Sequence, residues 1–307
     1  MPSPTSTPSR MPGPERDLVG YGRTPPVVGW PDGARVAVSL VLNYEEGSER
    51  TMPLDGENES LGEVARTVGT HRDLATESVY EYGSRAGVHR LLRLFDRYGV
   101  RCTFFAAAVA LEQNPEVCAW LREAGHEPCS HGWRWAEEWL LSREEEAERI
   151  RRAVESIERT CGERPVGWYS RWMPSEHTRE LLVEEGGFLY DSNAYNDDLP
   201  YYVEVHGKPH LVVPYTLTTN DLRFTNGTVG GPADFFDYCR RALDYLWDEG
   251  EECPRMMSIG LHPRWTGQPA RASALAEFLE HAQAKGGVWF ARRRDIAEWW
   301  LERSPAR

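Results

Sequence analysis

Short apolar runs alternate with amphipathic segments along most of this chain, and that alternation limits its fold more tightly than any other feature. The strand-like runs are Arg35 to Leu42, CTFFAA from Cys102, HEPCS from His126, PVGWY from Pro165, GFLY from Gly187, HLVVPY from His210, MMSIGL from Met256 and GVWFA from Gly287. Each is bounded by turn-forming residues or a change of period. Between them, Val88, Leu91, Leu92, Phe95 and Tyr98 set one apolar stripe on a helix that stops at Gly99. A second helix starts at Ser142, whose spacing to Glu145 makes a capping box. Further helices are predicted at 175–185, 232–248, 272–285 and 294–303. Strands alternating with helices specify an α/β protein, most simply a barrel-like parallel sheet wrapped by helices.

Composition narrows the setting. The 35 basic and 48 acidic side chains leave a net charge of −13, which argues against a nucleic-acid partner. No run reaches the roughly 20 apolar residues of a membrane span. Residues 1–17, rich in Pro and Ser, read as a flexible arm without the apolar core of a secretory signal, so a cytoplasmic location is expected. Residues 18–307 read as a single domain. The six cysteines are scattered and read as buried thiols.

In such a barrel the reactive groups belong at the carboxyl ends of the strands. Those positions here carry Asn43-Tyr44-Glu45-Glu46-Gly47, Ser130-His131-Gly132-Trp133-Arg134-Trp135, Tyr169-Ser170-Arg171-Trp172 and Gly260-Leu261-His262-Pro263-Arg264. Two carboxylates, two histidines and arginines therefore converge.

The order of these motifs resembles the polysaccharide deacetylase-like superfamily, from about Arg35 to Trp300. The resemblance implies a distorted (β/α) barrel of seven or eight strands. Members usually open with Thr-Phe-Asp-Asp-Gly, the first Asp a base and the second a metal ligand; Glu45 and Glu46 hold those positions here. Two metal-binding histidines usually stand four residues apart. His131 matches the first, but the second position is Trp135, which has no lone pair to offer a metal. His126 lies five positions from His131, on the opposite face of an extended segment. No metal and no cofactor are expected.

Glu45-Glu46, SHGWRW, LLVEEGGFLYDSNAYNDDLPYY and GLHPRWTGQPAR are similar to the metal-independent allantoinase and cyclic imide hydrolase branch. That resemblance implies hydrolysis of a C–N bond in a cyclic ureide or imide, with allantoin the first candidate. Glu45 is then the general base and His262 the general acid. Glu46 either hydrogen-bonds a ring N–H or holds His131, and His131 binds substrate or orients Glu46. Arg171 keeps the base ionised or binds a carbonyl oxygen, and Arg264 supplies a second cation. Trp133, Trp135 and Tyr169 wall the pocket. A homo-oligomer, often a tetramer among relatives, follows by resemblance alone, with the aromatic run Ala297–Leu301 as one contact surface.

The chain departs from that branch where Asn193 and Thr219 replace acidic residues, positions assigned to the substrate side of the site. Two other readings compete: an N-deacetylase of a sugar or small amide, and a binding protein built on a disabled barrel.

Overall fold

The computed structural model of the protein describes residues 13–60, 70–225, 227, 229–304 and 306; the first twelve residues of the expected N-terminal arm lie outside the described residues. Nine strands, β1 (Val36–Tyr44), β2 (Thr103–Ala106), β3 (Glu127–Ser130), β4 (Gly167–Trp168), β5 (Tyr190–Asp191), β6 (Tyr201–Val205), β7 (Lys208–Val212), β8 (Arg255–Leu261) and β9 (Val288–Phe290), form one curled sheet. Its order is β6-β7-β5-β4-β3-β2-β1-β8, with β9 against β1. All neighbours are parallel except β6 and β7. Residues 36–42 of β1 pair with β8, while its other edge is shared between β9 at Val36–Val38 and β2 at Val41–Tyr44. The result is a distorted (β/α) barrel.

The helices are α1 (Met52–Asp55), α2 (Leu74–Tyr82), α3 (Val88–Tyr98), α4 (Ala108–Gln113), α5 (Pro115–Ala124), α6 (Arg143–Cys161), α7 (Thr178–Glu185), α8 (Pro232–Glu249), α9 (Pro269–Lys285) and α10 (Arg293–Arg303). The stripe of α3 is buried through Val88, Leu91, Leu92 and Phe95, and Gly99 ends the helix at φ 61°. The capping box of α6 forms as its sequence specifies, Ser142 Oγ accepting from the Glu145 N–H while Glu145 accepts from the Ser142 N–H.

Strand alternation sorts the side chains into two layers. Val36, Val38, Leu40, Leu42 and Tyr44 face the helices with Phe104, Trp168, Ile259 and Leu261. Ala37, Val41, Phe105, Cys129, Tyr169 and Met256 pack into a second cluster inside the barrel. Counting in twos from those inner positions places Asn43, Glu45, His131 and His262 on the inner face, at the carboxyl ends of their strands.

Eight of the nine strands lie where the apolar runs predict them. The ninth, β6, is half-exposed and joins β7 through a two-residue turn with His206 at φ 51° and Gly207 at φ 71°. His-Gly lacks the Asn-Gly or Asp-Gly signature of such a turn. The sequence also gave no sign of a π-helical turn, Gly83–Gly87, linking α2 to α3. Its glycines read as a break, but they permit close approach: a Cβ on Gly83 would collide with the Glu46 side chain, and one on Gly87 with the Pro263 carbonyl.

The carboxyl-terminal aromatics pack at home rather than presenting a contact surface. Ala297 and Trp300 are buried, and Trp299 donates to the Gly29 carbonyl and lies against Trp289. Five of the six cysteines are buried and all are free thiols. Among the described residues no helix is long and apolar enough to cross a membrane.

Candidate active site

Glu45 and Glu46 follow β1 directly, in a tight turn. The Ser48 N–H and Oγ both donate to the Glu45 carbonyl, at 2.9 and 2.6 Å. Gly47 takes φ 87° at the third position of that turn, a conformation that favours glycine. The turn sends the two carboxylates apart. Glu45 faces the barrel interior, whereas Glu46 turns back to accept from the Glu45 N–H at 3.0 Å.

A cavity of about 490 Å3 opens over the inner face, lined by Glu45, His131, Trp135, Tyr169, Arg171, Trp172, His262, Arg264 and Trp265 among others. Glu45, only 2% exposed, is its centre. One carboxylate oxygen lies 3.3 Å from His131 Nε2 and 3.6 Å from His262 Nε2, and the other is 2.8 Å from Arg264 Nη2. Burial pushes the Glu45 carboxyl up, but Arg264, His262 and the contact with His131 outweigh it and hold it well below the usual carboxylate range.

Both histidines are fixed from behind. The Tyr169 carbonyl can only accept, so His131 Nδ1 donates to it at 2.7 Å, and the Tyr169 ring stacks on the imidazole. Asp221 accepts from His262 Nδ1 at 2.6 Å, from the His262 N–H at 2.8 Å and from Thr266 Oγ1 at 2.6 Å. Burial alone would lower the His262 pKa, but Asp221 and Glu45 push it up to about 9. His262 is therefore a cation at neutral pH, with its Nε2–H directed at the base.

Arg264 sits between the two carboxylates, its guanidinium also 3.4 Å from Glu46 Oε1 and enclosed by the Tyr80 and Trp265 rings at 4.6 and 4.5 Å. Burial and the Glu45 charge raise the Glu46 pKa despite Arg264.

The sequence-assigned residues do not all meet here. Arg171 lines the cavity but does not hold the base; it donates to the Trp135 carbonyl at 2.9 Å, pairs with Glu59 at 2.9 Å and lies over the Trp135 ring. Arg264 has that role instead. Glu46 bonds Arg264 and its own turn rather than His131, and His131 orients Glu45 rather than Glu46. Trp135 and Tyr169 do wall the cavity, but Trp133 points to the helix layer, where Arg152 covers its ring at 4.2 Å. Asn193 is drawn away because its N–H caps the Asp191 carboxylate and its Oδ1 accepts from the Ser170 N–H, both over about three ångströms or less (2.9 and 2.8 Å). Thr219 donates to the Ser258 carbonyl at 2.6 Å.

Asp221, Asn43 and Asn220 were not assigned beforehand. Asn43 donates to Tyr215 Oη and the Leu261 carbonyl, at 3.1 and 3.2 Å. Asp221 lies 41 residues from His262, too far for spacing to reveal the pair; its only signal is the Leu217–Asp221 string of the related branch.

The profile of the family described as polysaccharide deacetylase matches residues 73–181. A Schizosaccharomyces pombe protein provisionally named a polysaccharide deacetylase is 37% identical, over 94% of this chain and 98% of its own. This chain belongs to the polysaccharide deacetylase family. Two solved structures superimpose with a TM-score of 0.91 over 95% of this chain and 99% of theirs: a probable polysaccharide deacetylase from Pseudomonas aeruginosa PAO1 at 48% identity, and PuuE allantoinase at 47%. The protein is a hydrolase of the deacetylase family.

Deacetylases of this family are expected to hold a metal at the first and second motifs, and this donor set does not fit one. Trp135 stands at a ligand position, His126 packs between Phe95 and Phe104 on the helix side, and the Arg264 cation already fills the space between Glu45 and Glu46. A divalent ion there would meet a fixed like charge.

Proposed function

We propose that this protein hydrolyses a C–N bond of a cyclic ureide or imide, with allantoin, opened to allantoate, as the first candidate. The observation that carries the reading is the buried Glu45 carboxylate flanked by Arg264 and the His262 cation. Glu45 takes a proton from water as its oxygen attacks a ring carbonyl. His262 Nε2–H then protonates the leaving nitrogen. Water is added across the C–N bond, and the proton on Glu45 passes to His262, 3.6 Å away, restoring both groups. Asp221 keeps His262 in the productive tautomer.

The low basicity of Glu45 favours this substrate class. A base held below the ordinary carboxylate range assists only an attack that is already easy. A ureide or imide nitrogen between two carbonyls leaves with its charge shared, whereas a sugar acetamide has no such help. The 47% identity to PuuE allantoinase supports the ring-opening reading. The names of the S. pombe and P. aeruginosa relatives support a second reading, an N-deacetylase of a sugar or small amide. We also propose that the active form is a homo-oligomer in the cytoplasm; a 35.0 kDa particle by light scattering would overturn the first part of that statement.

The test is product formation from allantoin, hydantoin, succinimide and N-acetylglucosamine oligomers. Ring opening with no acetate release is the expected result, and acetate release without ring opening would replace it with the deacetylase reading. Glu45→Gln should lower turnover by about 10²-fold or more and keep ligand affinity. A protein with affinity but no turnover before the substitution is the binding protein.

A further inference from the structure

The chain places a tryptophan where its backbone is least suited to one. Trp172 has φ 60°, in the left-handed region that disfavours a bulky aromatic. The Met173 N–H closes a three-residue turn onto the Arg171 carbonyl at 2.6 Å, with Trp172 at the apex. The strain is not offset by burial, because the residue is 75% exposed. It is held from both sides. Arg171 is anchored to Trp135 and Glu59, and Tyr195 Oη donates to the Trp172 carbonyl at 2.9 Å while sharing a 2.8 Å hydrogen bond with Tyr169 Oη.

Trp172 nonetheless lines the same cavity as Glu45 and His262. A residue that lines a cavity and is three-quarters exposed stands at its mouth. Across from it lies Leu217, also exposed and also part of the lining. The deeper wall, Tyr169 with His131, is an aromatic surface that Trp172 does not touch. Strain retained at the rim of a site, with no fold contact to justify it, marks a residue kept for what it binds.

We infer that Trp172 is a specificity-determining residue, whose indole covers the outer face of a flat, electron-poor ring bound over Glu45. This rests on the ring-opening reading and names where its selectivity resides. The electron-rich indole face stacks on a planar ring flanked by carbonyls, and an open-chain amide presents no such face.

Trp172→Gly separates this role from a structural one. Glycine accepts the positive φ without strain, so the melting temperature should rise. KM for hydantoin or allantoin should rise at least tenfold, far more than kcat falls, and selectivity for ring over open-chain amide should drop to the same degree. Trp172→Phe should recover most of the selectivity. An unchanged KM overturns the inference, as does a Trp172→Gly protein that differs only in its association state by light scattering. Hydantoin binding by calorimetry, in Glu45→Gln with and without Trp172→Gly, keeps the two readings apart. If the wild type opens no ring, the functional reading fails. The cap still stands on a tenfold weaker affinity in the double variant, and falls if affinity is equal or if Glu45→Gln does not bind hydantoin.

Discussion

Arg264 and Glu45 form a buried ion pair, Nη2 to Oε2 at 2.8 Å, with each residue 2% exposed. Removing one partner of such a pair leaves the other charged group buried and uncompensated, at a cost of about 3–5 kcal/mol. Arg264→Gln should therefore destabilise the protein by that order in chemical denaturation. It should also raise the Glu45 pKa, since Arg264 is the leading opponent of burial there. The acid limb of kcat/KM then moves upward in pH, and Arg264→Lys falls between the two. An unmoved acid limb would show that Arg264 does not hold the base ionised.

The basic limb belongs to His262. As general acid it must carry its proton, and Asp221 with Glu45 pushes its pKa up to about 9 against the burial that would lower it. Activity should be flat through neutral pH and fall as pH rises through about 9. Asp221→Asn removes the main charge that raises the value, so the limb should shift to lower pH and kcat should drop. The same group links pH to stability: a pKa raised above its unfolded value stabilises the fold fully below about 6.5, and this contribution is lost as pH rises through about 9. A pH profile unchanged by Asp221→Asn would assign the limb to another group.

The donor set around Glu45 leaves no room for a divalent ion beside Arg264, so chelation should matter little. Protein dialysed against a strong chelator should keep kcat/KM within about twofold on any ring it opens, and added zinc should not raise it. Loss of activity on chelation with recovery on adding zinc would overturn the reading of Arg264 as the resident cation.

Most of the barrel and the location of the site were legible because they rest on local periodicity. Strand runs such as Arg35–Leu42 and the Val88–Tyr98 stripe report directly which face is buried, and the residues following each strand report the site. Pairings across long sequence separations left no such mark. Arg171 and Arg264 were both visible cations near the strand ends, yet only packing decides which reaches Glu45: Arg171 is captured by Trp135 and Glu59, and Arg264 by the two carboxylates. Trp133 and Trp135 are two residues apart, but beyond β3 the chain is no longer extended, so alternation stops predicting their faces. Asp221 behaves likewise, since its partner arrives on another strand. The π-helical turn at Gly83–Gly87 is justified only by Glu46 and Pro263, residues distant in sequence.

Behind the cavity loop lies a second pair of buried carboxylates that no part of the proposed chemistry uses. Glu138 and Glu146 are both buried, and Glu146 is satisfied by the Ser175 and Thr178 hydroxyls. Burial, then the nearby Glu146 charge, pushes the Glu138 pKa up to about 8. A raised carboxyl is a cost that grows with pH. Between about 4.5 and 8 the unfolded chain releases the Glu138 proton while the folded chain keeps it, so stability falls as pH rises across that window. Glu138→Gln copies the neutral form and removes the penalty. Its melting temperature should match the wild type near pH 4 and exceed it increasingly toward pH 8, by on the order of 3 kcal/mol. A Glu138→Gln protein less stable than the wild type at pH 8 would mean that the carboxylate is ionised and bonded in the folded state.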